Sequence, residues 1–145
     1  MDFRFPPYIS SKELLSKVHK KIQQFETNNP NIHIKLKILD FCEPYEVDTN
    51  SILVRSLSWA IRMVKGKPAV WVRKTGTGDM NLYGESIPIP IVTYGAGNSH
   101  FDHTVNERIN LNEYLQSIQI ICKAINRLLE LYEKKQEKLA SKKLI

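Results

Sequence analysis

The 145-residue sequence is poor in cysteine, in long apolar runs and in low-complexity segments. Its two cysteines, Cys42 and Cys122, form no Cys-x-x-Cys motif, which argues against a disulfide scaffold and fits a reducing cytoplasm. The longest apolar runs, such as Pro88–Val92, fall far short of the about 20 residues that a membrane-spanning helix needs. No basic region followed by an apolar core opens the chain, so no signal peptide is predicted. We therefore expect a cytoplasmic protein without a membrane segment.

The composition is that of an ordinary folded domain with a modest basic surplus. Apolar residues make up 42% and charged residues 25% of the chain, and the length favours about one domain. Lysine and arginine exceed aspartate and glutamate by 21 to 15. Much of this surplus lies in Lys12–Lys21 and Lys134–Lys143, where no interleaved aromatic side chains support nucleic-acid binding. A basic nucleic-acid binder is the least favoured function, and salt-sensitive retention on RNA would support it.

The first 40 residues predict a strand, a helix and a second strand. Asp2–Phe5 alternates polar and apolar residues, which predicts a short strand. A chain that opens inside a strand suggests a fragment, or a gene that begins at an internal Met. Ser10 and Glu13 form a capping-box pattern at the start of an amphipathic helix that ends near Asn28–Pro30. Ile32–Ile38 alternates cleanly, which predicts a strand with one buried and one solvated face.

The remainder predicts helices that alternate with apolar strands. Cys42–Asn50 reads as a connector, and Thr49 or Asn50 is expected to cap a helix that ends at Gly66. Ala69–Val72 and Ile87–Tyr94 read as short apolar strands. This alternation predicts the α/β class, with a sheet covered on both faces.

The last predicted helix is capped by Asn110, with Glu113 completing the capping box, and should span roughly 35 Å. We expect a frayed, lysine-rich end from Lys134 onward. A continuous apolar stripe should form its buried face. The stripe consists of Leu111, Tyr114, Leu115, Ile118, Ile121, Cys122, Ile125, Leu128, Leu129 and Tyr132.

Two polar loops follow the apolar strands. In Arg73–Asn81, glycines allow backbone N–H groups to approach an anion, and Thr75 and Thr77 supply hydroxyl groups. This suits a carboxylate or a phosphate, but the loop is neither a P-loop nor a dinucleotide fingerprint. The pattern alone supports equally well a tight turn with threonine caps.

The second loop, Tyr94–Glu107, carries His100, Asp102, His103 and Glu107, and imidazole is a good zinc ligand. A full site needs at least three protein ligands, and no His-Glu-x-x-His or His-x-His motif is present. Spacing alone therefore favours ordinary polar loop residues. The other two histidines, His19 and His33, fall on faces expected to be solvated.

Three ordered segments carry a family resemblance: Thr75–Asn81, Pro90–Ser99 and His103–Glu107. Together they resemble the C-terminal half of the zinc amidohydrolases, which include acetylornithine deacetylase, succinyl-diaminopimelate desuccinylase and the aminoacylases. The nearest branch contains the acetyl-lysine deacetylases, or LysW-lysine hydrolases, which remove an acetyl group or an amino-group carrier protein from lysine or ornithine.

The resemblance implies the C-terminal part of a zinc-peptidase-like α/β/α catalytic domain, preceded by a remnant of the lid domain that often makes the dimer contact. Residues 1–44 resemble the end of the lid, and residues 45–145 the return into the catalytic domain. By the same resemblance His103 is a ligand of zinc or cobalt. Gly76, Thr77 and, on the lid strand, Arg4 contact the carboxylate of the substrate.

The resemblance also shows what the sequence lacks. In that family three features precede the lid: the His-x-Asp metal motif, a bridging aspartate and the Glu-Glu pair with the general base. No such segment occurs here, so no catalytic residue is assigned. The implied function is hydrolysis of the linear amide of an N-acylated lysine or ornithine, in lysine or arginine biosynthesis, by a truncated chain that is inactive alone. The alternative is a non-catalytic dimerisation or binding module, or a split-enzyme subunit that pairs with a separate N-terminal half or with itself.

Overall fold

The computed structural model describes residues 1–74 and 76–142, which contain four α-helices. The helices are α1 (Ser11–Asn28), α2 (Ile52–Lys65), α3 (Asp79–Ser86) and α4 (Leu111–Lys142), and a 3₁₀ turn at Ser99–Phe101 precedes α4. The chain divides into two compact units: Met1–Glu46 with Arg73–Ile89, and Val47–Val72 with Pro90 onward. The glycine-containing loop and α3 therefore group with the N-terminal segment. The boundary at residue 44 stays a prediction.

Helix α1 begins and ends where the sequence predicts. The Ser10 Oγ accepts a hydrogen bond from the Glu13 N–H at 3.2 Å, which satisfies one of the free donors of the first turn. The Ser11 N–H donates to both carboxylate oxygens of Glu43 at 3.2 Å, a long-range cap that the sequence does not reveal. At the other end, the Asn29 side chain donates to the Phe25 carbonyl at 2.9 Å.

Helix α2 is capped by Ser51, so the prediction of Thr49 or Asn50 was wrong by one or two residues. The Ser51 Oγ accepts from the Val54 N–H at 3.3 Å, while Asn50 instead donates its N–H to the Asp48 side chain at 2.8 Å. Gly66 ends the helix as predicted. Its φ of 66° is the left-handed conformation that glycine adopts without steric cost.

Helix α4 starts at the predicted cap but is longer than predicted. The Asn110 Oδ1 accepts from the N–H groups of Asn112 and Glu113 at 2.9 and 3.3 Å. The helix has 32 residues and continues to Lys142, so it spans about 48 Å. Frayed structure from Lys134 was therefore the wrong expectation for the described residues. Lysine, glutamate, glutamine, leucine and alanine in that stretch all have high helix propensity.

Helices α2 and α4 pack against each other and form the core of the second unit. Leu57 and Ala60 of α2 are buried against Ile120 and Ala124 of α4. These α4 residues lie roughly a third of a turn away from the predicted stripe. The stripe itself stays open, with Ile118, Ile121, Ile125 and others between 43% and 73% exposed. The sequence therefore placed the buried face of α4 on the wrong side of the helix.

The predicted strand–helix–strand unit is not confirmed, because no strand is assigned anywhere in residues 1–74 and 76–142. Asp2–Phe5, Ile32–Ile38, Ala69–Val72 and Ile87–Tyr94 are irregular apart from local bends. A strand requires a hydrogen-bonded neighbour. The Ile34 N–H instead donates to the Glu26 carboxylate at 2.7 Å. The apolar side chains of 32–38, expected on a buried face, are 39–52% exposed.

No helix in the described part of the chain combines the length and the apolar character needed to cross a bilayer.

Candidate substrate loop and metal ligand

Gly76 and Thr77 lie in the first unit, in an open loop that leads into α3. Both residues are exposed, and a Cβ added at Gly76 would meet no atom within 4 Å. The N–H groups of Gly76 and Thr77 donate to no atom of the described residues. Among the described residues, these two backbone N–H groups therefore have no acceptor, and recognition of an anion requires such donors. The adjacent hydroxyl-bearing residue, Thr75, lies outside the described residues.

Asn81 links this loop to Glu43, in the segment between α1 and α2. Its Oδ1 accepts from the Gly78 N–H at 3.2 Å, and its Nδ2 donates to the Glu43 carbonyl at 3.0 Å. The backbone of Asn81 adds a turn bond, from its N–H to the Gly78 carbonyl at 2.9 Å. The bond from Asn81 to Glu43 is partly buried, so water competes less for it, whereas the bond from the Gly78 N–H is exposed.

The start of the same loop is held by an ion pair. The Arg73 guanidinium donates from Nη2 and Nε to one oxygen of Glu46, at 2.7 and 3.1 Å. The Arg73 side chain is 80% exposed, so solvent screens most of the attraction. The loop is thus tied at both ends to the segment 43–46, and the partly buried bond from Asn81 to the Glu43 carbonyl is the firmer tie.

Gly84, inside α3, lies directly against the ring of Tyr45. A Cβ at this position would overlap the ring, so only glycine allows α3 to approach so closely. The Tyr45 hydroxyl donates to the Ile89 carbonyl at 3.2 Å. Tyr45 therefore holds both the helix and the chain that leaves it within the first unit.

Arg4, the second predicted contact for a substrate carboxylate, also lies in the first unit. Its Nε pairs with the Asp2 carboxylate at 3.4 Å, and 67% of its side chain is exposed. This long, solvent-screened contact leaves the guanidinium accessible.

His103, the predicted metal ligand, lies in the second unit, in the loop between the 3₁₀ turn and α4. The residue is exposed, and its φ of 62° is the only positive value among the described residues that are not glycine. Its N–H donates to the Glu107 carboxylate at 3.1 Å. Thr104 closes the turn by donating its hydroxyl to the Phe101 carbonyl at 2.8 Å. A positive φ is uncommon for a residue with a Cβ, and these bonds hold the backbone in that conformation.

The described residues do not assemble a complete metal site around His103. Within 1–74 and 76–142, no three side chains of histidine, cysteine, aspartate or glutamate lie close enough together to hold one metal ion. Residues 100–102 do spell His-x-Asp, a match that the sequence analysis does not use. They follow residues 1–44, which the resemblance assigns to the lid, rather than precede them. The 3₁₀ turn contains His100 and Phe101, and Asp102 follows it in the same loop. The residues present fit one ligand of a metal site and no more.

The cavity between α2 and α4 is apolar and offers no group for chemistry. Its volume is about 180 Å³. Its lining consists of Leu53, Leu57, Val92, Tyr94, Ile121, Ala124, Ile125 and Leu128. Burial raises the pKa of the Tyr94 phenol above its ordinary value, so the phenol stays neutral near pH 7. This cavity belongs to the packing of the second unit.

The sequence predicts the loop at Gly76 and Thr77 and the ligand His103. It does not predict that Glu43 and Asn81 hold the loop. Glu43 contributes through its backbone carbonyl and through a cap 32 residues away along the chain, and neither role leaves a local pattern. Asn81 does leave one, since an Asn three residues after a glycine can accept the N-cap N–H.

Comparison with known proteins decides the family. The sequence-family model described as peptidase family M20/M25/M40 matches residues 5–127. The chain belongs to this family. Membership in the M20 family fits the predicted α/β class, although the described residues of this chain are helical and irregular.

Several archaeal and bacterial relatives are similar over much of the chain. The LysW-lysine/LysW-ornithine hydrolase of Sulfurisphaera tokodaii is 35% identical over 129 residues, which cover 84% of this chain and 34% of that protein. The LysW-lysine hydrolase of Deinococcus radiodurans is 43% identical over 79 residues, 54% of this chain and 22% of the relative. A Pyrococcus horikoshii protein, provisionally named LysW-lysine/LysW-ornithine hydrolase, is 47% identical over 91 residues. These residues cover 63% of this chain and 28% of that protein.

The M20 chain described here spans between 22% and 34% of the length of these relatives. The resemblance drawn from the sequence motifs is thereby confirmed at the level of the family and of these named relatives.

Proposed function

We propose that this M20 chain contributes the substrate-carboxylate loop and one metal ligand to a hydrolase that cleaves the amide of an N-acylated lysine or ornithine. The observation that carries the proposal is the match of residues 5–127 to the family, together with relatives named as hydrolases of LysW-bound lysine and ornithine. The acyl group is an acetyl group or an amino-group carrier protein, and the reaction belongs to lysine or arginine biosynthesis in the cytoplasm.

The substrate side rests on charge and on free donors. The N–H groups of Gly76 and Thr77 and the Thr77 hydroxyl would orient the carboxylate of the amino acid. Arg4 would add a charge-assisted contact, which is stronger than a neutral hydrogen bond. Fixing the carboxylate in this way holds the scissile amide in one place, and such positioning supplies a large part of the catalytic effect in general.

The metal side rests on His103 alone. Its exposed imidazole would bind zinc or cobalt, an ion that lowers the pKa of bound water and polarises a carbonyl when present in such sites. One imidazole binds such an ion weakly, so the remaining ligands and the general base would come from outside these 145 residues. We therefore expect no hydrolysis by the isolated chain.

A chimera tests this proposal. Residues of this chain replace the matching third of the S. tokodaii relative, and turnover of N2-acetyl-lysine and of N2-acetyl-ornithine is measured with zinc or cobalt. We expect turnover by the chimera and none by the isolated chain. His103→Ala should abolish it, whereas His100→Ala, a control in the same loop, should retain most of it. Robust hydrolysis by the isolated chain, or an active His103→Ala chimera, would overturn the assignment.

A second candidate is a non-catalytic binding module or split-enzyme subunit, and the open face of α4 favours it. Leu111, Ile118, Ile125, Tyr132 and Leu139 recur at seven-residue intervals, and each is more than 40% exposed. We define these five residues as the α4 stripe. An apolar strip of this length is rare on a free monomer, and the partner that fits it is the remaining part of an M20 polypeptide.

Sedimentation tests whether the α4 stripe associates with another polypeptide. The isolated chain should self-associate at micromolar concentration, and addition of the remaining two thirds of the S. tokodaii relative should convert it into a mixed complex. Replacing Ile118 and Ile125 with serine should reduce both associations. A stable monomer that ignores the added polypeptide would contradict a docking role for the α4 stripe.

A further inference from the structure

The loop that presents Gly76 and Thr77 has a support of its own, built from two residues with no part in the predicted site. Asn81 accepts from the Gly78 N–H with one side-chain atom and donates to the Glu43 carbonyl with the other. Glu43 in turn uses both carboxylate oxygens to accept from the Ser11 N–H at the start of α1. These contacts form a continuous chain of hydrogen bonds from the loop to the N-terminus of α1.

We propose that Asn81 is a positioning residue, which fixes the backbone donors of the Gly76–Gly78 loop for a ligand carboxylate by joining the loop to Glu43 and, through Glu43, to α1. The proposal rests on the proposed function, since it assigns the loop a carboxylate ligand. It goes further by naming the residues that hold the donors in place without touching the ligand.

The loop is held by two contacts, Arg73 with Glu46 and Asn81 with Glu43, and they differ in their exposure to water. Arg73 pairs with Glu46 at the other end of the loop, but its side chain is 80% exposed and the pair is screened by water. The bond from Asn81 to Glu43 is partly buried, and loss of the amide would leave the Glu43 carbonyl without this partner.

The two side-chain hydrogen bonds of Asn81 have different roles, and substitutions can separate them. Its Oδ1 orders the loop internally, because Gly78 and Asn81 exchange bonds across one turn. Its Nδ2 acts between segments, because Glu43 lies 38 residues earlier in the chain. Asn81→Ala removes both bonds, and Asn81→Asp keeps the first while losing the donor for the second.

Hydrogen exchange at the Gly78 amide tests the geometry in the full 145-residue chain without any ligand. The wild type and Asn81→Asp should protect this amide, and Asn81→Ala should exchange it at least about tenfold faster. Ser86→Ala is the matched control, because it removes another α3 side-chain bond, from the Ser86 hydroxyl to the Leu82 carbonyl at 3.0 Å, and should leave Gly78 protected. Equal exchange in the wild type and Asn81→Ala would overturn the proposal.

Calorimetric titration with N2-acetyl-lysine, and with N2-acetyl-lysinamide as a ligand without the carboxylate, tests the role. We expect Asn81→Ala to weaken binding of the acid about three- to tenfold and to leave binding of the amide unchanged, so that the preference for the carboxylate shrinks. Equal weakening for both ligands would indicate a merely structural residue and would overturn the positioning role. If the wild type shows no preference for the acid, the carboxylate assignment of the loop fails, and the exchange experiment reports separately on the support.

Discussion

The N–H of His103 donates to the carboxylate of Glu107 at 3.1 Å, and this bond holds a histidine whose φ is 62°. The left-handed conformation costs an L-residue with a Cβ about 1–2 kcal/mol. The turn bonds around Thr104 add to the hold on the backbone. The loop therefore holds the backbone of His103 in a costly conformation, with the residue exposed.

The first prediction concerns this strain. His103→Gly should leave the free energy of unfolding equal or up to about 1 kcal/mol higher, because glycine adopts positive φ freely but loses more chain entropy on folding. His103→Val should lower it by about 1–2 kcal/mol, because a β-branched side chain is strained there. Urea unfolding of the two variants measures the difference. Equal stability of the glycine and valine variants would mean that the positive φ is not maintained in solution.

The second prediction decides which face of α4 packs on α2. Ile120 is fully buried, whereas Ile118 is 43% exposed on the α4 stripe. Ile120→Ala should therefore destabilise the chain by about 2–4 kcal/mol and Ile118→Ala by less than about 1 kcal/mol. Thermal unfolding at low concentration measures both. The reverse order would restore the stripe that the sequence predicted as the buried face.

The third prediction uses a buried hydroxyl that has no partner among the described residues. Ser56 Oγ is completely enclosed in α2 and makes no hydrogen bond there. Ser56→Ala should raise stability by about 1 kcal/mol, because an unsatisfied buried polar group is removed. Ser117→Ala is the comparison, since the Ser117 hydroxyl donates to the Tyr114 carbonyl at 2.7 Å and its loss should be neutral or destabilising. A less stable Ser56→Ala would reveal a bond to that hydroxyl.

The fourth prediction concerns the reactivity of Cys42. Burial, then the negative charges of Glu85, Asp40 and Glu43, raise the pKa of this thiol above its ordinary value. Less thiolate is present at pH 8, so iodoacetamide should alkylate Cys42 more slowly in the folded chain than in urea. The folded rate should keep rising with pH above 9. The measurement uses Cys122→Ser, so that only one thiol reacts, and adding Glu85→Gln should speed the reaction.

The same shift affects stability at high pH. A folded pKa above the unfolded value stabilises the fold fully below the unfolded pKa, and this contribution is lost as pH rises through the folded pKa. Alkylation of Cys42 at equal rates in the folded and unfolded chains would show that the thiol is not shielded.

Most local capping signals predicted the right residue, because their partners are a few residues away, and the cap of α2 was wrong by only one or two residues. Ser10, Asn110 and Gly66 each act within one turn of the helix that they begin or end. The face of α4 was read wrongly for the opposite reason. The ten-residue apolar stripe predicted from the sequence has more and larger apolar residues than the face formed by Ser117, Ile120 and Ala124. Only the tertiary structure shows that α2 packs against this smaller face.

The strands and the support of the loop both depend on contacts between distant parts of the sequence. Alternation in Ile32–Ile38 specifies an extended chain with an apolar side, but a strand also needs a neighbour that the described residues do not provide. The motifs located the loop at Gly76 and Thr77 and the histidine at 103. The support from Glu43 and Asn81 depends on contacts 38 residues apart, which no local pattern encodes.

The most direct test of the account is the visible spectrum of cobalt(II) bound to the chimera with the S. tokodaii relative, recorded with and without the imidazole at position 103. The account predicts that His103→Ala changes the ligand-field bands and weakens cobalt binding, while His100→Ala reproduces the parent spectrum. An unchanged spectrum and affinity in His103→Ala would contradict the claim that this histidine binds the metal.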